Sequence, residues 1–406
     1  MRISTQQLFD RGLQQIQDVT AQQQKTQLQL ATGKKVLTPA DDPVASTRIL
    51  ELNQELVLNN QFQRNIELVD GSLKYQDNTL GGINDVVQRI RELTVSAGNG
   101  TFSAEDLNSI AAEIDERLDQ LAGLLNSKDA SGGFMFAGYQ GNTQPFQLNT
   151  SGAYEYEADE GKRFVQIDAS VSIVSTSNGK DIFQDVASVK NTFFTVANAS
   201  NQANPPAQIT VGQVIDQDLY DAFYPEDLTI VFNSATDFNV TETSTGRTIL
   251  ANAPYQSNQA IVVNGVQFEI AGSPIAGDSF TVESTQKQGL LTTVEKFVYG
   301  LQNFDDSDVG RDSFNDLLAT TIANLDNAET SILEARGQIG ARLNAIETTD
   351  EQLKDVEILT QEILTGLESV DYAEAVSLLS VQQFTLQAAY SSYAQITSIS
   401  LFDRLG

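Results

Sequence analysis

The 406-residue sequence contains no cysteine, no histidine and no tryptophan. Without histidine and cysteine, neither a Ser-His nor a Cys-His nucleophile can form within one chain. The usual protein ligands of zinc, haem and most transition metals are also missing, and no disulfide can form. We therefore expect no enzymatic activity, no cofactor and no metal site. An enzyme could only use Asp, Glu, Ser and Tyr, and no motif supports that alternative.

Basic residues are scarce, because 24 Lys and Arg stand against 54 Asp and Glu, which gives a formal charge of −30. A nucleic-acid partner needs a basic surface, and an anionic membrane would repel this chain. No segment has the roughly 20 largely apolar residues of a spanning helix. The N-terminal segment also lacks the apolar core of a cleavable signal peptide. We expect neither a nucleic-acid nor a membrane partner.

Proline is absent from two long segments, residues 44–144 and 275–406. Because proline interrupts helices, both segments can form long helices, whereas the middle of the chain has most of the prolines. In that middle part, Ile261–Phe268 contains the pair Asn264-Gly265 between β-branched residues, which predicts a hairpin with a type I′ turn. The sequence thus predicts an α+β multidomain fold, with long N- and C-terminal helices that form a coiled-coil or helical-bundle core and a central β-rich inserted domain.

In both flanks, mainly apolar residues recur at steps of three and four, which is the spacing of a helix–helix seam, and polar residues interrupt both stripes. The first stripe consists of Ile66, Val69, Leu73, Gln76, Leu80, Ile83, Val87 and Ile90. The second stripe consists of Ile339, Leu343, Ile346, Asp350, Leu353, Val356, Thr360, Ile363, Leu367 and Val370. Spacing alone fits an ordinary bundle core equally well. A helix from about Pro43 to Ala97 would be on the order of 80 Å long, which favours an extended assembly.

Local signals indicate where these helices begin. Asp42 suits an N-cap before Pro43 at the first helical position, which explains the Asp41-Asp42 pair better than acid–base catalysis does. Ser103 and Asp106 have the spacing of a capping box. Large and small residues alternate in Gly133–Tyr139, from which we predict a strand that leaves the second helix.

We predict three regions and an assembly interface. Residues 1–42 and 360–406 form terminal coiled-coil helices that are disordered in the monomer, because isolated helices of this kind are marginal in water. Residues 43–145 and 283–359 form a helical rod with a short hairpin, and residues 146–282 form a β-rich outer domain. The predicted interface residues are Ile3, Leu8, Leu13, Ile16, Leu73, Leu80, Val87, Ile363, Leu367, Val370, Tyr372, Val381, Phe384, Ile399 and Phe402.

Several segments resemble the flagellin-type axial proteins of the bacterial flagellum. The resemblance begins with Met1–Thr5 and Ala31–Pro43 near the N-terminal end. It continues in Val370–Ala375, Leu386–Tyr390 and Ser400–Phe402 near the C-terminal end. The motifs are specific as a set, whereas each alone is weak, and the middle of the chain shows no recognisable resemblance, which fits a variable outer domain.

Within this family, the details are more similar to hook-associated subunits of the hook–filament junction type (type 3) than to filament flagellins. The details are Pro43 after two Asp residues, Asn99–Thr101, and Gly133–Gln140 followed by Thr143–Phe146. The resemblance implies a structural adapter that is assembled through its terminal helices and joins the hook side to the flagellin filament. It also implies an extracellular protein, secreted by the flagellar type III export apparatus.

The implied partners are other copies of the chain in a homo-oligomeric ring, a neighbouring hook-associated protein (type 1), flagellin, and an export chaperone at the C-terminal region. Two alternatives remain open. One is a filament flagellin, which would differ mainly in copy number. The other, from a different class, is a secreted type III translocator or adhesin with coiled-coil ends, against which the paired motifs at both ends argue.

Overall fold

The computed structural model of the chain describes residues 5–149 and 153–405. Its helices are α1 (Thr5–Thr32), α2 (Pro43–Ala97), α3 (Ala104–Leu125), α4 (Gln217–Phe223), α5 (Leu290–Gln302), α6 (Asp308–Glu368) and α7 (Tyr372–Leu405). Within these described residues, no helix combines the length and the apolar character needed to cross a membrane.

The predicted start and end of α2 are confirmed, since this helix covers Pro43–Ala97. Oδ1 of Asp42 accepts hydrogen bonds from the backbone N of Val44 at 3.1 Å and of Ala45 at 2.9 Å. These bonds satisfy amides that have no partner within the helix, which is what an N-cap does. The capping box of α3 is also present, with Ser103 and Asp106 each accepting from the other's backbone N–H.

The strands lie between α3 and α5, as predicted. They are β1 (Phe146–Leu148), β2 (Tyr154–Tyr156), β3 (Phe164–Gln166), β4 (Ser172–Val174), β5 (Ala187–Ala197), β6 (Gln208–Ile209), β7 (Gln213–Val214), β8 (Leu228–Phe232), β9 (Asp237–Glu242), β10 (Thr248–Pro254), β11 (Ala260–Val263), β12 (Val266–Ala271) and β13 (Ser279–Lys287). A π-helical turn, Lys180–Gln184, separates β4 from β5. The α+β architecture with long terminal helices and a central β-rich region is thereby confirmed.

Two larger antiparallel sheets build the β-rich region. One has the strand order β10-β9-β8-β13-β5, and in the other β12 lies between β11 and β6 and also pairs with β7. The predicted hairpin joins β11 to β12, with Asn264 and Gly265 at φ values of 48° and 82°. A single apolar core takes residues from both sheets; among them are Phe193, Ile209, Tyr220, Ile230, Phe232, Val240, Val266, Phe268 and Phe280.

The prediction of a strand at Gly133–Tyr139 is wrong. This segment forms consecutive turns with isolated bridges at Phe134 and Ala137, and it buries Met135, Phe136 and Ala137. The turns need glycine, because Gly138 has a φ of +61° and a Cβ there would collide with Asp159. The alternation of large and small residues in this segment reflects which side chains are buried in the core, and not the pleat of a strand.

Helix α5 connects the β-rich region to α3, against which it packs. The buried Lys296 donates from Nζ to Phe193 O at 2.5 Å and to Thr192 Oγ1 at 2.8 Å, and it lies 4.3 Å from the centre of the Phe193 ring. Its neighbour Glu295 accepts from the backbone N of Tyr154 at 2.7 Å. Burial raises the pKa of Glu295 to about 7 and lowers the pKa of Lys296 to about 7, since it penalises either charge.

The chain forms two compact units. Unit 1 contains the described residues up to Arg64 and from Thr348 onward, and unit 2 contains Asn65–Glu347 without the undescribed residues 150–152. Helices α2 and α6 contribute to both units. The division of the chain into three regions, with boundaries near residues 42, 145, 282 and 359, stays a prediction.

Candidate assembly surface

In unit 1, the links that follow α1 and α6 run side by side. The backbone N of Lys35 donates to Glu368 O at 2.6 Å, and that of Val370 donates to Gly33 O at 3.0 Å. An ion pair of 2.9 Å joins Lys34 Nζ to Glu368 Oε2. These contacts hold the end of α1 beside the start of α7, so that the two terminal helices pack along each other.

Gly33 ends α1 in a conformation that favours glycine, with a φ of +70°. A Cβ at this position would lie 3.0 Å from the hydroxyl oxygen of Tyr372, whose side chain is 58% exposed. Next to it, Asp371 Oδ1 accepts from the backbone N of Ala373 and Glu374 and caps α7. The segment that carries the family resemblance at Val370–Ala375 therefore builds the start of the C-terminal helix.

Asp41 organises the link that follows α1, from Lys34 to Asp42. Its Oδ2 accepts from the backbone N of Leu37 and Thr38, and its Oδ1 lies 2.6 Å from Lys25 Nζ. The hydrogen bond from Lys25, followed by the one from the backbone of Thr38, lowers the pKa of Asp41 to about 2. With Asp42 capping α2, both carboxylates have structural partners, which supports the capping interpretation of this pair.

Polar residues interrupt the packing between α2 and α6 in unit 1. Asn59 donates from Nδ2 to Leu353 O at 2.7 Å, and Gln63 donates from Nε2 to Glu357 Oε2 at 2.9 Å. The Oδ1 atom of Asn59 is buried without a hydrogen-bond partner. In unit 2, Gln76 likewise donates to Ser175 O at 2.8 Å and keeps a buried, unpaired Oε1. A buried acceptor without a partner is costly, so these positions weaken the seams.

The second seam departs from the predicted positions beyond Leu353. Thr360 and Leu364 are buried, whereas Val356 is 40% and Ile363 is 39% exposed. The stripe buried within the chain thus passes through Leu364, and the prediction of Val356 and Ile363 on it is wrong by one residue. The step from Leu353 to the half-buried Glu357 is four residues and keeps the alternation of three and four, which Thr360 and Leu364 continue. The predicted stripe instead takes two consecutive steps of three, from Asp350 to Leu353 and from Leu353 to Val356.

The structure divides the predicted interface residues into three groups. Leu73, Leu80 and Val87 are completely buried in unit 2, and Ile16 is buried in unit 1. The group that is exposed to different degrees contains Leu13, Ile363, Leu367, Val370, Tyr372, Val381 and Phe384. Ile3 lies outside the described residues, and so do the side chains of Leu8, Ile399 and Phe402, although these three belong to helices α1 and α7. Among the predicted residues whose side chains are described, the exposed group is the one available to another subunit without unfolding; the interface itself stays a prediction.

Exposed apolar side chains are concentrated in unit 1. Of 30 large apolar side chains exposed in the described residues, 16 belong to this unit, which has fewer than a third of the residues of the chain. They are Leu13, Leu28, Val44, Leu50, Val57, Leu58, Val356, Ile358, Leu359, Ile363, Tyr372, Val376, Leu378, Val381, Phe384 and Tyr390. We call this set the apolar surface of unit 1. Such concentrations mark surfaces that a partner covers.

Most of this apolar surface escaped the sequence analysis. Val57, Leu58, Ile358 and Leu359 stand next to seam positions, and a search for the heptad stripe passes over them. The signal in the sequence that could have found them is an apolar residue on a helix face outside the heptad stripe, where the pairing of helices within the chain does not bury it. Phe384 shows it most clearly, since this large side chain is 74% exposed.

Comparison with known proteins identifies relatives of both ends. The family model of the bacterial flagellin N-terminal helical region matches residues 3–141. The family model of the bacterial flagellin C-terminal helical region matches residues 322–405. Together these two regions span more than half of the chain and include all residues of the apolar surface of unit 1.

Two relatives match this chain over nearly their full length. Flagellar hook-associated protein 3 of Escherichia coli (strain K12) is 26% identical over 402 residues, which cover 99% of both chains. The crystal structure of flagellar hook-associated protein 3 from Legionella pneumophila is 27% identical, covers 79% of this chain and 98% of that chain, and has a TM-score of 0.54. By contrast, a flagellin of Salmonella muenchen is 28% identical over 130 residues and covers only 32% of this chain.

Proposed function

The chain belongs to the flagellin family of bacterial flagellar proteins, and from this premise we propose that it is the structural adapter that joins the hook side of the flagellum to the flagellin filament. The observation that carries the proposal is the extent of the similarity. It runs through the β-rich middle in hook-associated protein 3, whereas the flagellin similarity is confined to part of the chain. The relatives are structural proteins, which suggests that this chain is not an enzyme.

The proposed partners follow from that position. Copies of the chain form a ring, with a neighbouring hook-associated protein (type 1) on the hook side and flagellin on the filament side. A flagellar export chaperone covers the C-terminal region before export. The exposed apolar residues of α7, among them Val381 and Phe384, support this part of the proposal, because a free subunit would otherwise present them to water. Secretion through the flagellar type III export apparatus, without a cleaved signal peptide, belongs to the same proposal.

The proposed mechanism of assembly starts from the pairing of α1 with α7. In the ring, neighbouring subunits cover the apolar surface of unit 1, which turns exposed side chains into a continuous core. Before assembly, the terminal helices are disordered and fold when their partners arrive. The β-rich region points outward. Asn59 and Gln76, with one unpaired buried oxygen each, let the seams adjust between hook-side and filament-side neighbours.

The decisive experiment is immunogold electron microscopy of intact flagella with an antibody against residues 146–282. The expected result is one narrow band of label where the hook meets the filament. Label along the whole filament would show a filament flagellin instead. Label absent from the flagellum would contradict both and would favour a secreted translocator or adhesin.

A further inference from the structure

The turn between α2 and α3 contains Asn99-Gly100-Thr101, a motif that the proposed assembly does not use. In an Asn-Gly pair, the backbone N of the glycine can attack the side-chain amide of the asparagine, because glycine has no Cβ that obstructs the approach. The attack closes a cyclic imide and releases ammonia, and water then opens the ring. The chain has three Asn-Gly pairs, at Asn99, Asn178 and Asn264, and the structure gives each a different environment.

The side-chain oxygen of Asn99 accepts from two donors of Thr101. Its Oδ1 lies 3.0 Å from Thr101 Oγ1 and 3.3 Å from the backbone N of Thr101. Negative charge develops on this oxygen during the attack, and donors aimed at a developing oxyanion lower the barrier. Neither the backbone N of Gly100 nor Nδ2 of Asn99 makes a hydrogen bond within the described part of the chain. Because both residues are exposed, the attacking nitrogen, the leaving nitrogen and water can all meet here.

Asn178 shares the two donors but not the free glycine. Its Oδ1 accepts from the backbone N of Lys180 at 2.8 Å and from the hydroxyl of Tyr156 at 3.2 Å. The backbone N of Gly179, however, donates to Phe136 O at 2.9 Å. Only 2% of Asn178 is exposed, which keeps water away from it. The attacking nitrogen is occupied and the site is dry, so this pair should hardly react.

Asn264 has a glycine that cannot move and an amide without assistance. It lies in the hairpin turn between β11 and β12, where Gly265 is buried. A Cβ at Gly265 would lie 2.3 Å from Asp216 O, so the backbone of the turn is packed tightly. Among the residues that the structure describes, none donates a hydrogen bond to the side chain of Asn264. This pair should therefore react more slowly than Asn99 as well.

We propose that Asn99-Gly100 is a self-modification site, at which the folded chain converts Asn99 into aspartate or isoaspartate. The backbone N of Gly100 gives its proton to water and forms a bond to Cγ of Asn99. The bond from Cγ to Nδ2 breaks, and Nδ2 takes up a proton and leaves as ammonia. A water molecule then adds to one of the two carbonyl groups of the imide and opens the ring, so water is the only other reactant.

Isoaspartate would change the turn that connects α2 to α3. It adds a methylene group to the backbone between Asn99 and Gly100 and turns the former backbone carbonyl of Asn99 into a free carboxylate. In the unmodified chain, the backbone N of Phe102 donates to that carbonyl at 3.0 Å, directly before the capping box that begins with Ser103. The modification would therefore loosen the start of α3 as the protein ages.

The first arm of the test ages the purified full-length chain in mildly alkaline buffer and follows the three Asn-Gly pairs by peptide mass spectrometry. In the folded chain, we expect Asn99 to react roughly tenfold faster than Asn178 and Asn264. Urea in the same buffer should bring the three rates close together, because unfolding removes the differences in environment. Thr101→Val should slow the reaction of Asn99 roughly tenfold, whereas Thr101→Ser keeps the hydroxyl and should preserve the rate.

Two results of this arm would overturn the proposal at once. They are equal rates at the three pairs in the folded chain, and an unchanged rate in Thr101→Val. A glycan on Asn99 in protein isolated from the source bacterium would also overturn it. Asn-Gly-Thr is an acceptor pattern for N-glycosylation as well, and a glycan on Nδ2 blocks the departure of that nitrogen as ammonia.

The second arm measures hydrogen exchange at Phe102 and in the first turn of α3, before and after ageing. Gly100→Ala is the matched control, since a Cβ at this position has open space around it but obstructs the attack. Exchange should become faster in the aged unmodified chain and stay unchanged in aged Gly100→Ala. Unchanged exchange in a fully converted chain would overturn the predicted loosening. Both arms use the free monomer, so failure of the junction role would leave this site intact.

Discussion

Units 1 and 2 solve the burial of apolar residues in opposite ways. Unit 2 encloses Phe136, Phe193 and Phe280 completely and uses Lys296 and Glu295 to tie its parts together. Unit 1 leaves 16 large apolar side chains exposed on its helices and the links between them. The difference shows that unit 2 can be stable in a single chain, whereas the helices of unit 1 gain most of their stabilisation only when other subunits cover them.

The largest expected effect concerns the apolar surface of unit 1. We expect the double variant Ile363→Asp, Phe384→Asp to abolish assembly, because the buried charges would lack partners in the assembled core. The thermal unfolding of unit 2 should stay unchanged. Attached filaments and the circular dichroism melting curve provide the two measurements.

A matched control for this charge substitution is Phe164→Asp. Phe164 is 65% exposed in unit 2, so a charge there remains in water unless a neighbouring subunit covers it. Normal assembly of Phe164→Asp beside failure of the double variant would support the contrast between the units. Equal loss in both variants would contradict it, since exposure would then not distinguish the units.

Truncation of an aromatic side chain to alanine should destabilise the folded state when the ring lies in the core of unit 2, but hardly when the ring is exposed in unit 1. Phe136→Ala removes a completely buried ring that packs edge to face against Phe183, with 5.2 Å between the ring centres. The expected loss is about 3–5 kcal/mol in the free energy of unfolding, measured by urea denaturation of the monomer. Phe384→Ala should change the same quantity by less than about 0.5 kcal/mol, because its ring is exposed in the monomer.

How far the sequence predicted these units depends on the range of the interactions involved. The start of α2 at Pro43, the capping box of Ser103 and the hairpin at Asn264-Gly265 were predictable, because each depends on residues within four positions. The turns of Gly133–Tyr139 were not, since they depend on Asp159, which is distant in sequence.

The candidate assembly surface was only partly predictable for the same reason. Heptad spacing found the buried residues Leu73 and Leu80, but these pack within the chain and are not available to another subunit. Whether Ile358 or Leu359 is covered depends on where α2 lies, and a sequence pattern does not contain that information.

The charges inside unit 2 predict a pH dependence. Because its pKa is raised, Glu295 keeps a proton up to about pH 7 in the folded state, whereas in the unfolded chain it loses the proton near the ordinary value of 4.5. Between these values the folded state binds more protons, so this residue lowers stability as the pH rises. Lys296 has a lowered pKa and loses its proton near pH 7 in the folded state, but only near 10.5 in the unfolded chain, so it raises stability as the pH rises from 7.

The stability contributed by this pair should therefore be lowest near pH 7 and should change by on the order of 2 kcal/mol on either side. Asp115 and Tyr154 also lie near Glu295 and remain in every variant. Relative to the unmodified chain, Glu295→Gln should remove the fall between pH 4.5 and 7 and leave the rise above 7, whereas Lys296→Met should do the reverse. Urea denaturation at several pH values measures both, and parallel curves for all three proteins would contradict the assignment.

The smallest expected effect concerns the link that positions the terminal helices. Gly33→Ala should destabilise unit 1 by about 1–2 kcal/mol, because φ is +70° and the new methyl group would press on the hydroxyl of Tyr372. Tyr372→Phe removes that hydroxyl, so Gly33→Ala should cost less in the Tyr372→Phe background. Gly246→Ala, with the same φ but open space around it, reports the backbone contribution alone. Hydrogen exchange of the α1 and α7 amides in assembled flagella is the measurement for the link. If Gly33→Ala leaves their protection unchanged, the link does not hold the two helices together, and their pairing must come from the helix faces alone.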